Sequence, residues 1–588
     1  MDIFKTKNQS IEYEGDLIAR AIKLIPIWIQ LGLLALVIVF FQIEADLGLT
    51  VFFPWMCVGF LAHALVPLRF RPIILFAFFV GILSLFVGEW GTSNVLGTGF
   101  LMLGICHLPI ALFWRKLLAV AFGIVLALMT LGDIPSLLNT YQLRIITTLL
   151  MFRTILYLHE LAHEKERVDV WQRINYFFIL PNIVLPLFPI VDYKKHKQTY
   201  YNSEATKIYQ SGVNLILWSL LCVLMYRLLY HFIIPNQLRL DGVQEVMIYV
   251  VATYLTVIRL VGLLTLAVGV LRLFGYNLPN IFNYMFFASS FSDLFRRINI
   301  YWKDFLMKIC YYPTYFRVRK RFPSYALTIA TLVTFFFTWF FHVYQWFWVL
   351  GTNPLSETGM IYWGIFGIVA TLNTLTEHKS KRPKPKATFG YVFSHTLKVF
   401  TTFFAMALLY SIWMAPTFTI WMSMIVTALR DSWINWMYAL SGILFLYLLC
   451  SFLYLIYLKN KTSLKNIWDN IQSKNLVRNT SILTLIIALS FVKDYDEKLN
   501  LFVKNNEFNH NDINTEYSGY YDEILALNND VSSRIWGRDY TNKGKRMEEK
   551  LEETDIVRAV DNVLAYEFVP NAKGKYCLLY TSPSPRDS

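Results

Sequence analysis

The chain has 588 residues, of which 56% are apolar, 17% aromatic and only 16% charged. A typical soluble domain is about 25% charged, so this composition excludes a disordered chain and argues against a purely soluble globular protein. The formal net charge is +14, from 54 Lys and Arg against 40 Asp and Glu. In a membrane protein this excess follows from the basic residues kept on the cytoplasmic side, so it implies no nucleic acid partner.

Long apolar segments dominate the chain. A membrane-spanning helix needs about 20 mostly apolar residues, and about thirteen segments approach this length. The first of them lacks a small-residue cleavage site and is predicted to be a membrane helix rather than a signal peptide. The pattern predicts an all-α polytopic membrane protein with about 11–13 transmembrane helices. The segments are 24–43, 47–68, 72–89, 94–113, 117–133, 143–158, 212–234, 246–274, 325–350, 359–376, 391–427, 437–458 and 480–493.

The loops between these segments alternate in charge. Lys and Arg cluster after every second segment, at 69–71, 115–116, 194–197, 296–321, 379–386 and 459–461. The intervening loops, such as 44–46 and 351–357, are poor in Lys and Arg. Basic loops remain on the cytoplasmic side, so the N-terminus is predicted to be cytoplasmic and the C-terminal region extracytoplasmic.

Two apolar stretches do not resemble simple spans. One covers 176–191 and contains Pro181, Pro186 and Pro189, and the other covers 280–315. Irregular backbone is tolerated at membrane depth only where protein or a cavity covers it. Both stretches are therefore predicted to be re-entrant or interfacial.

The C-terminal part of the chain has a different composition. Residues 1–493 form the predicted membrane domain, whereas 494–576 are polar, net acidic and predicted to begin an extracytoplasmic domain. Residues 577–588 resemble a translated sequencing adapter and are interpreted as a non-native tail, which implies that the natural protein is longer.

One short motif suggests zinc chemistry. His159-Glu160-Leu161-Ala162-His163 matches HExxH, in which two histidines on one helix face bind zinc and the glutamate activates water. This interpretation predicts an intramembrane metalloprotease with Asp192 as a candidate third ligand. The alternative, which we favour, is the wet, charged end of a membrane helix, with no metal site.

A second candidate is a histidine inside an apolar span. His342 lies on a polar stripe in which residues are spaced 3, 4, 4 and 3 and so share one helix face: Thr331, Thr334, Thr338, His342 and Gln345. Ionisable groups at such depth are costly and point to function. The stripe predicts either a cavity lining or a polar seam between helices, where the histidine would only be hydrogen-bonded.

An ordered set of residues precedes this histidine: Arg296, Arg297, Asn299, Trp302, Phe305 and Tyr312-Pro313. Together with His342, this order resembles the membrane-bound O-acyltransferase family, in which an Arg-Arg pair, a polar residue, Trp-x-x-Phe and Tyr-x-Pro precede an invariant histidine. The resemblance covers about 176–350. The bacterial envelope-modifying branch often has Trp-His-Gly and a histidine at the polar position; this chain has Phe341-His342-Val343 and Asn299.

The resemblance implies an acyltransferase in a bacterial inner membrane. It would move an acyl group from acyl-CoA or acyl carrier protein, as cytoplasmic co-substrate, to a hydroxyl of an envelope glycan or lipid, with no bound cofactor. His342 would be the general base, and Asn299 would position the thioester or donate to the developing oxyanion. The expected donor- or substrate-binding residues are Arg296, Arg297, Trp302, Thr338 and Gln345.

Other interpretations stay open. A zinc metalloprotease would depend on His159, Glu160 and His163, and a lipid or solute transporter would also need a polar stripe. The segment 566–574 faintly resembles the lead-in to SGNH-type hydrolase domains, which accompany some acyltransferases of this kind.

Overall fold

The protein is an all-α polytopic membrane protein, as predicted. In the part of the chain that the structure describes, nine helices are long and apolar enough to cross a membrane. Three shorter apolar helices accompany them, at Leu49–Leu65, Phe418–Arg430 and Arg478–Ser490. The computed structural model describes residues 17–136, 138, 140–162, 170–178, 190–235, 240–350, 355–378, 387–461, 463, 475–490, 568–570 and 576–578.

The helices of the described residues are numbered here in chain order. Their bounds are α1 Leu17–Phe40, α2 Leu49–Leu65, α3 Arg71–His107, α4 Leu112–Leu131, α5 Thr140–Leu161, α6 Val170–Phe177, α7 Tyr193–Thr199, α8 Ala205–Phe232, α9 Val243–Leu255, α10 Val257–Leu273, α11 Phe291–Arg297, α12 Ile300–Leu306, α13 Tyr312–Arg321, α14 Ala326–Leu350, α15 Glu357–His378, α16 Phe389–Met414, α17 Phe418–Arg430, α18 Trp433–Lys459 and α19 Asn475–Ser490. A π-helical turn, Met307–Tyr311, joins α12 to α13.

Several predicted segment boundaries differ from the helices. The third and fourth predicted segments form the single helix α3, which bends at Gly88, where φ is 72° and ψ is 175°. Glycine reaches this conformation without the steric cost that a side chain would impose. Conversely, the segment predicted over 246–274 is two helices that meet at Thr256.

The long segment 391–427 is not one continuous helix. It forms α16 and α17, which are separated by Ala415, Pro416 and Thr417. Proline has no N–H for a helical hydrogen bond, and Thr417 then caps α17 by accepting from the Ile420 N–H at 3.2 Å.

The buried side chains form two hydrophobic cores. The first core draws on α1, α2, α3, α5, α8, α10 and α12. The second draws on α9, α11, α15, α16 and α17. Helix α14 contributes to both, through Phe341 in the first core and Phe335 in the second. Helix α10 also contributes to both, through Leu263 in the first core and Val257 in the second, so the two cores meet on α10 and α14.

Helices α8 and α10 pack closely within the first core. A Cβ atom on Gly212 would lie 2.8 Å from the carbonyl oxygen of Gly269, and one on Gly262 would lie 2.9 Å from that of Ser219. Small residues allow such approach between membrane helices. The Ser219 hydroxyl also donates to the Gly262 carbonyl at 2.8 Å.

The C-terminal region is described only as a small ribbon. Strand β1 (Phe568–Pro570) pairs antiparallel with β2 (Tyr576–Leu578). The predicted boundary between natural sequence and tail, at 576/577, falls inside β2. Residues 491–567 lie outside the described part of the chain, so the predicted extracytoplasmic domain stays a prediction.

Substituting Gly212 by Ala should destabilise the protein by about 1–3 kcal/mol, because the added methyl group meets backbone of α10 that cannot move aside. The measurement is thermal unfolding of the purified protein in detergent. Gly364→Ala in α15 is the matched control, since a Cβ there meets nothing within 4 Å. Equal melting temperatures for the two variants would contradict the close packing of α8 on α10.

Candidate functional site

His342 lies inside the candidate span Ala326–Gln345, with its ring between two indoles. The centroid of its imidazole is 4.4 Å from the ring of Trp302 and 4.6 Å from that of Trp363. Its Nδ1 is 2.8 Å from the carbonyl oxygen of Thr338. A carbonyl can only accept, so Nδ1 carries the proton and Nε2 carries the lone pair. The backbone of α14 thereby selects the tautomer in which Nε2 is a base.

The polar stripe on α14 faces the protein interior. Thr331, Thr334 and Thr338 are all buried. Their hydroxyls donate to the carbonyl four residues earlier, at 2.8, 2.7 and 2.7 Å respectively. Such back-bonding satisfies a hydroxyl within its own helix. Thr338 therefore orients His342 through its carbonyl, while its hydroxyl proton is held by Thr334; Gln345 follows on the same face, half-buried.

Asn299 caps the N-terminus of α12, the helix that carries Trp302. Its backbone is left-handed, with φ 35° and ψ 72°, a conformation that asparagine tolerates better than most residues. Its Oδ1 accepts from the Trp302 N–H at 3.1 Å and so caps α12. The capping oxygen is thus engaged, and the side-chain Nδ2 remains as a donor.

Trp302 supplies a second donor beside the histidine. The residue is only 6% exposed. Its indole Nε1 is buried and has no hydrogen-bond acceptor among the described residues. A buried donor of this kind costs free energy and calls for an explanation, and a role in binding a substrate is one.

The arginine pair on α11 surrounds a buried carboxylate. Asp293 is 5% exposed, and its Oδ2 accepts from the Arg297 Nε at 2.9 Å. Arg296 lies 3.9 Å from the same carboxylate and keeps 45% of its side chain exposed. Arg297 is thus held in an ion pair within its own helix, and Arg296 presents more of its charge outward.

The glutamate of the HExxH motif forms an ion pair with a lysine. The ammonium of Lys308, on the π-helical turn, pairs with the carboxylate of Glu160 and with that of Asp192, the latter at 2.5 Å. Glu160 and the predicted third ligand Asp192 are therefore brought together, but by an ammonium group. His163 lies outside the described residues. Within the described ranges, no group of three or more His, Cys, Asp or Glu side chains could hold a metal ion.

A second set of charges lies close by. The carboxylate of Asp304 pairs with the ammonium groups of Lys195 and Lys303, the latter at 2.9 Å. Partial burial acts to raise the pKa of Asp304, but hydrogen bonds from these two lysines outweigh it and hold that pKa below its ordinary value. Together with Lys308, these pairs tie α5, α7 and α12 into one frame behind Trp302.

Two of these neighbours were not predicted. Trp363 belongs to α15, and no local pattern connects it with a histidine on α14. Lys308 was counted only as one charge in a basic cluster, because sequence spacing cannot show that its partners lie 148 and 116 residues away. Comparison with protein-family models and with curated proteins gives no match for this chain.

Replacing Lys308 by Met should cost about 1–3 kcal/mol of stability, since it leaves two partly buried carboxylates without their shared cation. Adding Glu160→Gln to that variant should restore part of the loss, because one of the repelling charges is removed. The measurement is thermal unfolding in detergent, analysed as a double-mutant cycle.

The matched control is Lys303→Met. Asp304 still pairs with Lys195 in that variant, so the loss should stay below about 1 kcal/mol. The bridging role of Lys308 would be wrong if Lys308→Met had the melting temperature of the wild type and the double variant had a melting temperature no higher than that of Lys308→Met.

Proposed function

We propose that this chain is a membrane-bound O-acyltransferase with His342 as its general base. One observation carries the proposal: a histidine inside an apolar span has its tautomer selected by the Thr338 carbonyl and its ring held by Trp302 and Trp363. The buried His63 of α2 differs, since neither of its ring nitrogens has a hydrogen-bond partner among the described residues and its tautomer is not selected in this way. In His342, Nδ1 alone is engaged by the helix, which leaves Nε2 for a substrate.

The proposed reaction joins an acceptor hydroxyl to an acyl thioester. His342 Nε2 takes the hydroxyl proton as the acceptor oxygen attacks the carbonyl carbon. The new C–O bond forms, the C–S bond breaks, and the imidazolium returns the proton to the leaving thiolate. Proton transfer of this kind contributes about 10²–10⁴-fold to a rate. No bound cofactor or metal is needed for this balance.

Negative charge develops on the carbonyl oxygen during this attack. Two donors are suited to it: the Nε1 of Trp302, whose ring lies against His342, and the Nδ2 of Asn299, which caps the helix that carries Trp302. Donors fixed in advance stabilise such an oxyanion more effectively than mobile water does. Asn299 thus has two proposed roles, as the cap that sets Trp302 and as a donor to the thioester.

The charge pattern supports a cytoplasmic donor. The basic clusters support a cytoplasmic position for α11 and α13 under the positive-inside rule. Arg296 there is suited to the phosphates of acyl-CoA or the acidic surface of an acyl carrier protein, with Arg297 holding the frame. Thr338 and Gln345 lie on the face of α14 proposed for substrates. The acceptor is a hydroxyl-bearing envelope glycan or lipid in a bacterial inner membrane.

His342→Asn and His342→Ala should both lose at least about 10²-fold in acyl transfer, because neither side chain offers a base at the Nε2 position. The asparagine variant retains an amide donor for the Thr338 carbonyl, so it should fold as the wild type does. The measurement is turnover of labelled acyl-CoA and of labelled acyl carrier protein in membranes, with zinc content determined on the same samples.

His395→Asn is the matched control. His395 is also a half-buried histidine in a membrane helix between aromatic rings, with centroids 5.7 Å from Tyr391 and 5.4 Å from Tyr454. Wild-type turnover in His342→Asn would overturn the proposal. One zinc per chain, with no acyl-transfer turnover in the wild type, would instead favour a metalloprotease.

Trp302→Phe should lower kcat by about 10²-fold with little change in KM, because it keeps an aromatic ring against His342 but removes the N–H donor. Trp363→Phe is the control, since it alters the other aromatic face and removes no donor that the proposal uses. Steady-state kinetics with a labelled acyl donor distinguish the two. An equal, small effect of both substitutions would contradict the donor role of Trp302.

A further inference from the structure

Helix α13 is a short, exposed helix whose surface divides into two parts. None of its residues, Tyr312–Arg321, is buried. Tyr312 and Phe316 are 49% and 57% exposed and stack one turn apart, with centroids at 6.2 Å. Tyr311 and Tyr315 stack in the same way at 5.9 Å. The aromatic rings thus follow one another along one side of the helix.

Its cations lie largely on the remaining surface. Arg317, Arg319, Lys320 and Arg321 are exposed. No carboxylate within salt-bridge distance of these four is found in the described ranges, in contrast to Lys195, Lys303 and Lys308, which all pair with carboxylates. Arg319 and Arg321 instead lie over the rings of Tyr315 and Phe322, at 5.8 and 5.4 Å.

The position of α13 along the chain places it at the bilayer surface. The candidate span Ala326–Gln345 begins five residues after Arg321, and those connecting residues can reach only about 18 Å even when fully extended. Phe322 and Tyr325, in this connection, are 50% and 64% exposed. Aromatic rings flanked by cations are typical of helices that lie in the headgroup region.

We propose that α13 is a binding site for anionic lipid headgroups. Its aromatic side, with Arg319 over the Tyr315 ring, would enter the boundary between headgroups and acyl chains. Arg317, Lys320 and Arg321 would contact the phosphates of lipids such as phosphatidylglycerol. Each cation near a membrane surface is attracted to an anionic leaflet, so several such charges give a marked preference over neutral lipid. The proposal rests on the membrane fold and does not depend on the acyltransferase assignment.

The test uses the full chain in nanodiscs that contain equal amounts of phosphatidylglycerol and phosphatidylcholine. Native mass spectrometry then counts the lipids that remain bound to the protein after it is released from the nanodisc. The wild type should retain phosphatidylglycerol preferentially, and this preference should fall with added salt. The triple variant Arg317→Gln, Lys320→Gln and Arg321→Gln should reduce the preference about tenfold or more.

The matched control removes three exposed cations elsewhere, with Arg69→Gln, Lys116→Gln and Lys459→Gln. It changes the net charge equally and should leave the preference within about twofold. Equal losses in the two triple variants would show a general charge effect and overturn the proposal. Displacement of the retained lipid by inorganic phosphate, but not by chloride of the same ionic strength, would show a soluble-anion site instead.

Discussion

Inside a bilayer a polar group has no water to bind, so each must find its partner within the protein. Many polar groups in the spans follow this constraint. Three threonines of α14 donate to their own helix, and Ser219 donates across to the Gly262 carbonyl. The same constraint explains the pair of Glu44 with Arg259, which is 2.9 Å long between side chains that are 4% and 12% exposed. The Trp302 Nε1 does not follow it: like the Nε1 of Trp28 and the ring nitrogens of His63, it has no partner among the described residues.

The site around His342 departs from that rule in a defined way. The helix satisfies Nδ1 and leaves Nε2 for another group, while the neighbouring Trp302 N–H has no acceptor among the described residues. An acceptor and a donor side by side within a membrane span are complementary to a group that carries both, such as a hydroxyl attacking a carbonyl. The free-energy cost of burying them is compensated only when such a group binds.

The sequence predicts the architecture of this protein better than it predicts where individual helices end. Hydropathy predicted the helical membrane architecture, because a span must be long and apolar whatever its neighbours are. Helix ends inside apolar runs could not be predicted, since the bend at Gly88 and the break at Thr256 depend on backbone conformation rather than polarity. The i, i+4 spacing likewise placed Thr338 below His342, because that geometry is local.

Such local patterns cannot predict contacts between residues that are far apart in the sequence. HExxH describes one turn of helix, and it cannot show that Lys308 approaches Glu160 from 148 residues away. Trp363 was missed for the same reason. The predicted role of Asn299 considered only its amide chemistry, whereas its left-handed backbone and capping oxygen also make it the residue that starts α12.

The location of His342 follows from the way the two hydrophobic cores meet. Trp302 belongs to the first core, and Trp363 packs against the second. The imidazole between them therefore lies on the seam that α14 forms, where neither core closes over it alone. A tightly packed interior resists the entry of a substrate, because opening it would disrupt close packing on every side. A seam between two cores can admit an acyl chain or a headgroup while each core keeps its own packing, so a reactive histidine placed there needs no cavity inside either core.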